Sequence, residues 1–230
     1  ANITAFTRRI EADWGVALPD YESLHAFSLD EMAKFWSTVW DFCGVVGQAK
    51  GDRVLVDADQ MCGAKFFPDA RLNFAENVLG RRDDAAAILF RAEDRVERQM
   101  SWNELYDEVS RLAQAMRALG VVTGDRIAGF VPNCPEAIIA MLAASSIGAI
   151  WTSCSPDFGV QGVLDRFGQV KPKILFTADG YYYNGKEIGS LEKISQVLAE
   201  LPGVQMTVVF PLLSDHPDIS GLPGGTHWRH

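Results

Sequence analysis

A chain of 230 residues is long enough for one sizeable core, or for a core with a smaller attachment. With 48% hydrophobic and 22% charged residues it has the make-up of a soluble globular protein. Its formal net charge of -9 argues against an extended nucleic-acid surface, which needs clustered Lys and Arg to neutralise phosphates, but leaves room for a small basic site facing an anionic cofactor.

The first fifteen residues contain no continuous apolar run, so they do not form a secretory signal. Residues 137–151 are the most membrane-like stretch and are too short to cross a bilayer, so no membrane partner is expected. Cys43, Cys62, Cys134 and Cys154 lie far apart, with no CxxC pair and no histidine cluster. That spacing argues against zinc and for reduced, mostly buried thiols in a cytoplasmic setting.

Taken in chain order, Ser28 is a candidate N-cap for a helix over residues 29–43, with Glu31 completing a capping box. Leu29, Met32, Phe35, Trp36, Val39, Trp40 and Cys43 recur at helical spacing and give it an aromatic face that packs against a larger body. Residues 44–71 read as irregular or short-stranded. Asn73 is placed to cap a short helix over residues 74–79, which Gly80 ends. Residues 1–82 are thus expected to form a mostly helical, peripheral N-terminal section.

Residues 83–230 have a different texture. Two short strands joined around Glu93, Asp94 and Arg95 suggest a hairpin. Ser101 caps the next helix, with Glu104 at the capping-box position and Leu105, Val109, Leu112, Ala113, Met116 and Leu119 on its apolar face. Apolar strands at residues 125–132, 149–155, 173–179 and 206–212 then alternate with helices at residues 135–148, 159–170 and 190–203. This is the pattern of βαβ crossovers, so the fold class is α/β, a parallel-sheet, three-layer subdomain following the helical section. The Gly- and Pro-rich residues 218–230 read as a connection, and further chain is expected after them.

In an open parallel sheet the strand carboxyl ends share one edge, where ligands bind. Residues 132–134, 153–158 and 179–186 should therefore line neighbouring stretches of one rim. Each also contains ordinary turn formers, so some of them are turns and no more. No GxGxxG, GxxxxGK[ST] or GxSxG motif follows any strand. Residues 179–189, DGYYYNGKEIG, place three tyrosines beside Lys186 on what reads as a loop. Lys186 there either pairs with a phosphate or is simply solvated. Ser153, Cys154 and Ser155 would need a general base to act as nucleophiles, and none of His25, His216, His227 and His230 has a spacing that supplies one. Asp157 and Asp179 are either a metal pair or strand-end turn formers.

Several blocks in fixed order carry a resemblance: residues 21–42, YESLHAFSLDEMAKFWSTVWDF; residues 65–79, KFFPDARLNFAENVL; residues 101–159; and residues 172–186, PKILFTADGYYYNGK. Across about residues 20–215 the chain resembles the N-terminal part of the adenylate-forming acyl-CoA synthetase superfamily, in the branch that ligates acetoacetate to CoA. The resemblance implies an enzyme that joins a carboxylate to the AMP part of ATP with Mg2+ and releases pyrophosphate. CoA then displaces AMP, and with acetoacetate the product is acetoacetyl-CoA. It also implies that Asp157 and Phe158 lie near the pantetheine arm of CoA. In related acetate-using enzymes, the loop matching residues 179–186 carries two arginines at the nucleotide end of CoA. Tyr183 and Lys186 hold those places here, so one charge is kept as a lysine and the other is lost.

The phosphate loop, the adenine and ribose contacts and the small C-terminal domain of such enzymes are expected after residue 230, and this part alone is expected to be inactive. Acetate, propionate or another short acid is the alternative substrate, and a non-catalytic α/β binding or scaffold domain the alternative class. The partners implied are small molecules, with self-association into a homo-oligomer left open.

Overall fold

The computed structural model describes residues 2–229, which form two units, residues 2–77 and 78–229. The division lies at Asn77/Val78, five residues before the boundary read from the sequence.

The first unit begins with helices α1 (Asn2–Trp14), α2 (Tyr21–Asp30) and α3 (Met32–Phe42). Ile10, Leu18, Leu24 and Phe27 form its buried core, with Phe6, Val16 and Phe35 against them. Trp14 Nε1 donates to the buried Thr38 Oγ1 at 2.9 Å, tying α1 to α3. The single helix expected over residues 29–43, capped by Ser28, is not what forms. Asp20 caps α2, its carboxylate accepting the Ser23 N–H at 2.8 Å. The chain then breaks at Glu31, with φ -119° and ψ 44°. Ser28 lies inside α2, where its hydroxyl donates back to the His25 carbonyl at 2.7 Å, so it is engaged locally and caps nothing.

Two short antiparallel strands follow, β1 (Leu55–Val56) and β2 (Lys65–Phe66). Helix α4 (Phe74–Val78) spans the division between the units. The Asn73 carboxamide oxygen accepts the Glu76 N–H at 3.2 Å, as expected of its cap.

In the second unit, β3 (Ala86–Ala92) and β4 (Val96–Ser101) form the hairpin expected around Asp94. Helix α5 (Trp102–Ala118) starts at the full capping box of Ser101 and Glu104, worth about 1 kcal/mol. Then come β5 (Arg126–Phe130), α6 (Pro135–Ile147), β6 (Ile150–Cys154), α7 (Val160–Val170), β7 (Ile174–Ala178), β8 (Gly180–Tyr183), β9 (Lys186–Gly189), α8 (Leu191–Ala199), β10 (Met206–Phe210) and β11 (Gly225–His227).

The main sheet has five strands in the order β11-β10-β7-β5-β6, all parallel. Alternate residues Ala128, Phe130, Leu175 and Val209 meet Val163 and Phe167 of α7 and Ile194 and Val197 of α8 in one buried core. On the other face α5 packs along α6, and its Leu112 and Ala115 line a hollow with Trp228. The three-layer α/β arrangement expected from the sequence is therefore what forms.

Residues 218–230 were expected to be a connection, yet they contribute β11. Leu222 is buried, and the Trp228 ring packs on Phe176 and Phe210 at centroid distances of 6.0 and 6.1 Å. A three-residue strand is too short to show an apolar period, which is why the sequence concealed it.

The β3–β4 hairpin is fastened to α6 by a two-pronged ion pair. Arg98 Nη1 and Nη2 donate to Glu136 Oε1 and Oε2 at 2.6 and 2.9 Å. Glu136 is buried while Arg98 stays partly exposed, so losing one partner costs less than it would in a fully buried pair.

Candidate functional site

After β5 the chain adds β6 on one side and then crosses to add β7 on the other, so the direction of winding reverses at β5. The carboxyl ends of such strands open onto a crevice. Phe130, Cys154 and Ala178 end β5, β6 and β7 on this edge, with Phe130 opposite Cys154 in one pair and opposite Thr177 in the other. β6 and β7 are not neighbours, since β5 lies between them, but their tails do leave from the same edge.

Beyond β6, Ser155 Oγ donates to Asp157 Oδ2 at 2.9 Å, and the Asp157 N–H reaches Ser155 Oγ at 3.4 Å. This local turn presents Phe158 at the start of α7, where the Arg166 guanidinium lies 4.0 Å above its ring. A side chain at Gly162 would place its Cβ 3.2 Å from that ring, so glycine allows Phe158 to lie this close to the helix. Lys193 of α8 donates to the Pro156 carbonyl at 2.8 Å and completes the support of the turn. Arg166 and Lys193 thus give an acidic protein a local positive rim, which the residue-type patterns of the sequence did not single out.

Beyond β7, the stretch read as a loop is a hairpin. Asn184 and Gly185, at φ 51° and 72°, form the two-residue turn between β8 and β9. Asn-Gly suits this geometry because both turn residues need positive φ, and that dipeptide was the signal available in the sequence. Tyr181 pairs with Ile188 and Tyr183 with Lys186, placing these four on one face; Tyr182 and Glu187 pair on the opposite face.

Tyr181 is buried, and burial first, with the nearby Asp157 carboxylate second, pushes its pKa up to about 12. The β6–α7 turn therefore lies near the hairpin whose one face carries Tyr181, Tyr183 and Lys186. The four candidates Asp157, Phe158, Tyr183 and Lys186 thus belong to two neighbouring segments. Tyr183 is 61% exposed and Lys186 is exposed, with no carboxylate paired to the lysine among the described residues. An uncompensated cation beside an exposed aromatic ring suits a phosphate-bearing aromatic ligand.

Other candidates have different roles. The Asp179 carboxylate accepts the N–H groups of Leu212, Leu213 and Ser214, with contacts from 2.7 to 3.2 Å, so it organises the segment after β10 and is not half of a metal pair with Asp157. Among the described residues no group of three His, Cys, Asp or Glu side chains could hold a metal. Cys134 and Cys154 are buried, and burial is the first cause raising their thiols to about 12 and about 11, the opposite of an activated nucleophile. Cys43 and Cys62 are exposed, so only half of the thiols are buried, against the expectation of mostly buried ones. His230 lies outside the described residues.

A cavity of about 580 Å³ opens beside the same sheet edge, between Phe90 of β3, residues 131–135 and residues 153–155. Its lining stops at Ser155 and includes none of the four candidates. No helix among the described residues is long and apolar enough to cross a membrane.

Comparison with known proteins gives this geometry a context. The AMP-binding enzyme family matches residues 74–221, and the family described as acetyl-coenzyme A synthetase N-terminus matches residues 21–78. The chain is 49% identical over 208 residues to an acetoacetyl-coenzyme A synthetase of Rhizobium meliloti, covering 88% of this chain and 32% of that protein. It is 40% identical over 223 residues to an acetoacetyl-CoA synthetase of Macaca fascicularis, covering 95% and 33%. The solved acetoacetyl-CoA synthetase from Streptomyces lividans superposes with a TM-score of 0.91 at 41% identity, covering 99% of this chain and 35% of that one. The chain thus spans about a third of the length of these relatives. With the parallel sheet, its open rim and this match over most of the second unit, the chain belongs to the AMP-binding enzyme family.

Proposed function

We propose that the intact protein is an ATP-dependent acid-thiol ligase. It joins acetoacetate to CoA through an acetoacetyl-adenylate and yields acetoacetyl-CoA, AMP and pyrophosphate. Adenylation turns a poor leaving oxygen into part of a good leaving group, which the CoA thiol then displaces. The choice of acid rests on relatives named for acetoacetate at 38–49% identity over most of this chain. The chemical step belongs to parts of such enzymes that this stretch does not carry, and it is proposed to be inactive by itself.

The part assigned to residues 78–230 is recognition of CoA. The observation that carries it is the hairpin face on which the exposed Tyr183 pairs with the exposed Lys186, a cation with no carboxylate partner among the described residues. Lys186 meets a phosphate as a point charge, Tyr183 offers a ring to the adenine, and Asp157 with Phe158 borders the path of the pantetheine arm. Without the fork of an arginine, the lysine orients the phosphate less strictly.

In the intact protein, pyrophosphate release from ATP is expected to depend on acetoacetate, and AMP formation on CoA. Lys186→Ala should raise the KM for CoA by about 3–10-fold, corresponding to about 1 kcal/mol for one exposed ion pair, and leave the KM for ATP and acetoacetate in place. An unchanged CoA response removes Lys186 from the site. Release that follows acetate in preference to acetoacetate replaces the acid. That second reading has its own support, since residues 21–78 match the acetyl-coenzyme A synthetase N-terminus.

A further inference from the structure

The β8–β9 hairpin is a two-stranded sheet of its own, not hydrogen-bonded into the five-stranded sheet. An isolated pair of strands this short is marginally stable in water, so its direction has to be set by contacts at its faces and tip. On the face shared by Tyr181 and Lys186 the nearby acidic group is Asp157. The opposite face meets the tip of the β3–β4 hairpin. There, Glu93 Oε2 accepts the N–H of Gly185 at 2.9 Å across 92 positions of sequence. Arg95 adds a looser grip: its Nη2 lies 3.5 Å from the Gly185 carbonyl, its Nη1 3.8 Å from Glu187 Oε1, and its guanidinium 5.9 Å from the Tyr182 ring centre.

Two further features make this tip more than a passing contact. Glu93 is held at φ 49°, a left-handed conformation that costs a non-glycine residue about 1 kcal/mol, within a turn closed by the Arg95 N–H to the Ala92 carbonyl at 3.0 Å. The hairpin carrying it is itself anchored by the half-buried Arg98–Glu136 pair on α6. A continuous set of contacts therefore runs from the first turn of α6, through β4 and Glu93, to the residue next to Lys186.

We propose that Glu93 and Arg95 are positioning residues, which hold the β8–β9 hairpin from behind so that Lys186 and Tyr183 face the CoA nucleotide. Neither touches the ligand in this arrangement. The proposal rests on the reading that this hairpin contacts CoA, and it adds a reason for the hairpin to present that face.

The test uses the intact ligase with Glu93→Ala, Glu93→Gln, Arg95→Ala and Lys186→Ala, measuring the KM for CoA, acetoacetate-dependent pyrophosphate exchange, and hydrogen exchange of residues 180–189. Glu93→Ala should raise the KM for CoA by about 3–10-fold, leave pyrophosphate exchange within about twofold and speed amide exchange of the hairpin. Glu93→Gln keeps an oxygen for the Gly185 N–H and should stay near wild type in all three, while Arg95→Ala should show a weaker form of the Glu93→Ala result. Faster amide exchange with an unchanged KM for CoA would overturn the proposal, because the tie would then be structural only. So would a Glu93→Ala hairpin that exchanges at the wild-type rate, because then no tie exists. If Lys186→Ala alone leaves the CoA response intact, the assignment of that lysine fails. The proposal then stands if Glu93→Ala still raises the KM for CoA, and falls if it does not.

Discussion

Replacing Asp179 tests how this rim is built. Its carboxylate takes three main-chain N–H groups: Leu212 at 2.7 Å, Leu213 at 3.0 and 3.2 Å to its two oxygens, and Ser214 at 2.8 Å. A hydrogen bond to a charged group contributes about 1.5–3 kcal/mol when fully buried. Here Leu212 and Leu213 are half-buried and Ser214 is exposed, so the released donors can reach water. About 1 kcal/mol per donor is then the appropriate scale, or about 3 kcal/mol for Asp179→Ala. Asp179→Asn keeps one accepting oxygen but turns an amide group toward the remaining donors, and should lose about half as much. A larger protein need not unfold in one step, so local hydrogen exchange is the suitable assay. The amides of Leu212–Ser214 should exchange roughly 100-fold faster in Asp179→Ala, the rate equivalent of about 3 kcal/mol. Exchange within about threefold of wild type would refute the capping role.

Two other outcomes follow from charge and burial. The Asp125 carboxyl is held below its ordinary value of 3.8, first by the Val122 N–H and then by the Lys173 ammonium at 2.9 Å. A lowered folded-state pKa gives stability that is complete above the unfolded value and is lost as pH falls through the folded one. Thermal midpoints should thus drop more steeply below about pH 3.8 in wild type than in Asp125→Asn, and parallel curves would refute the assignment. Iodoacetamide at pH 8 should label the exposed Cys43 and Cys62 well before the buried Cys134 and Cys154, whose thiols sit at about 12 and about 11. Equal labelling of Cys154, read by peptide mass, would contradict its burial.

Much of the fold could be read from the chain because its signals are local. Ser101 with Glu104, Asn73 before Phe74, and apolar strands alternating with helices each set a backbone choice within a few residues. What the sequence hid depends on distant partners. Nothing near Trp151 or Leu175 says that β5 separates their strands, and the apolar pattern continues smoothly through Glu31, where the helix breaks. At the candidate site, Lys186 and Asp157 stood out by residue type. Glu93 did not, because its partner lies 92 positions away, and Asp179 drew a metal reading because its main-chain donors come from beyond β10. The Asn184-Gly185 hairpin is a different kind of miss, since that dipeptide was in plain view.

The order of strands also bears on how the polypeptide assembles as it leaves the ribosome. Once β5 and β6 have emerged, the later strands of the main sheet among the described residues join one outer edge: β7 beside β5, β10 beside β7, and β11 beside β10. Each arriving segment finds its neighbour already made, and none has to be threaded between strands laid down earlier. Growth of the sheet can therefore keep pace with translation, in one direction from a starter pair.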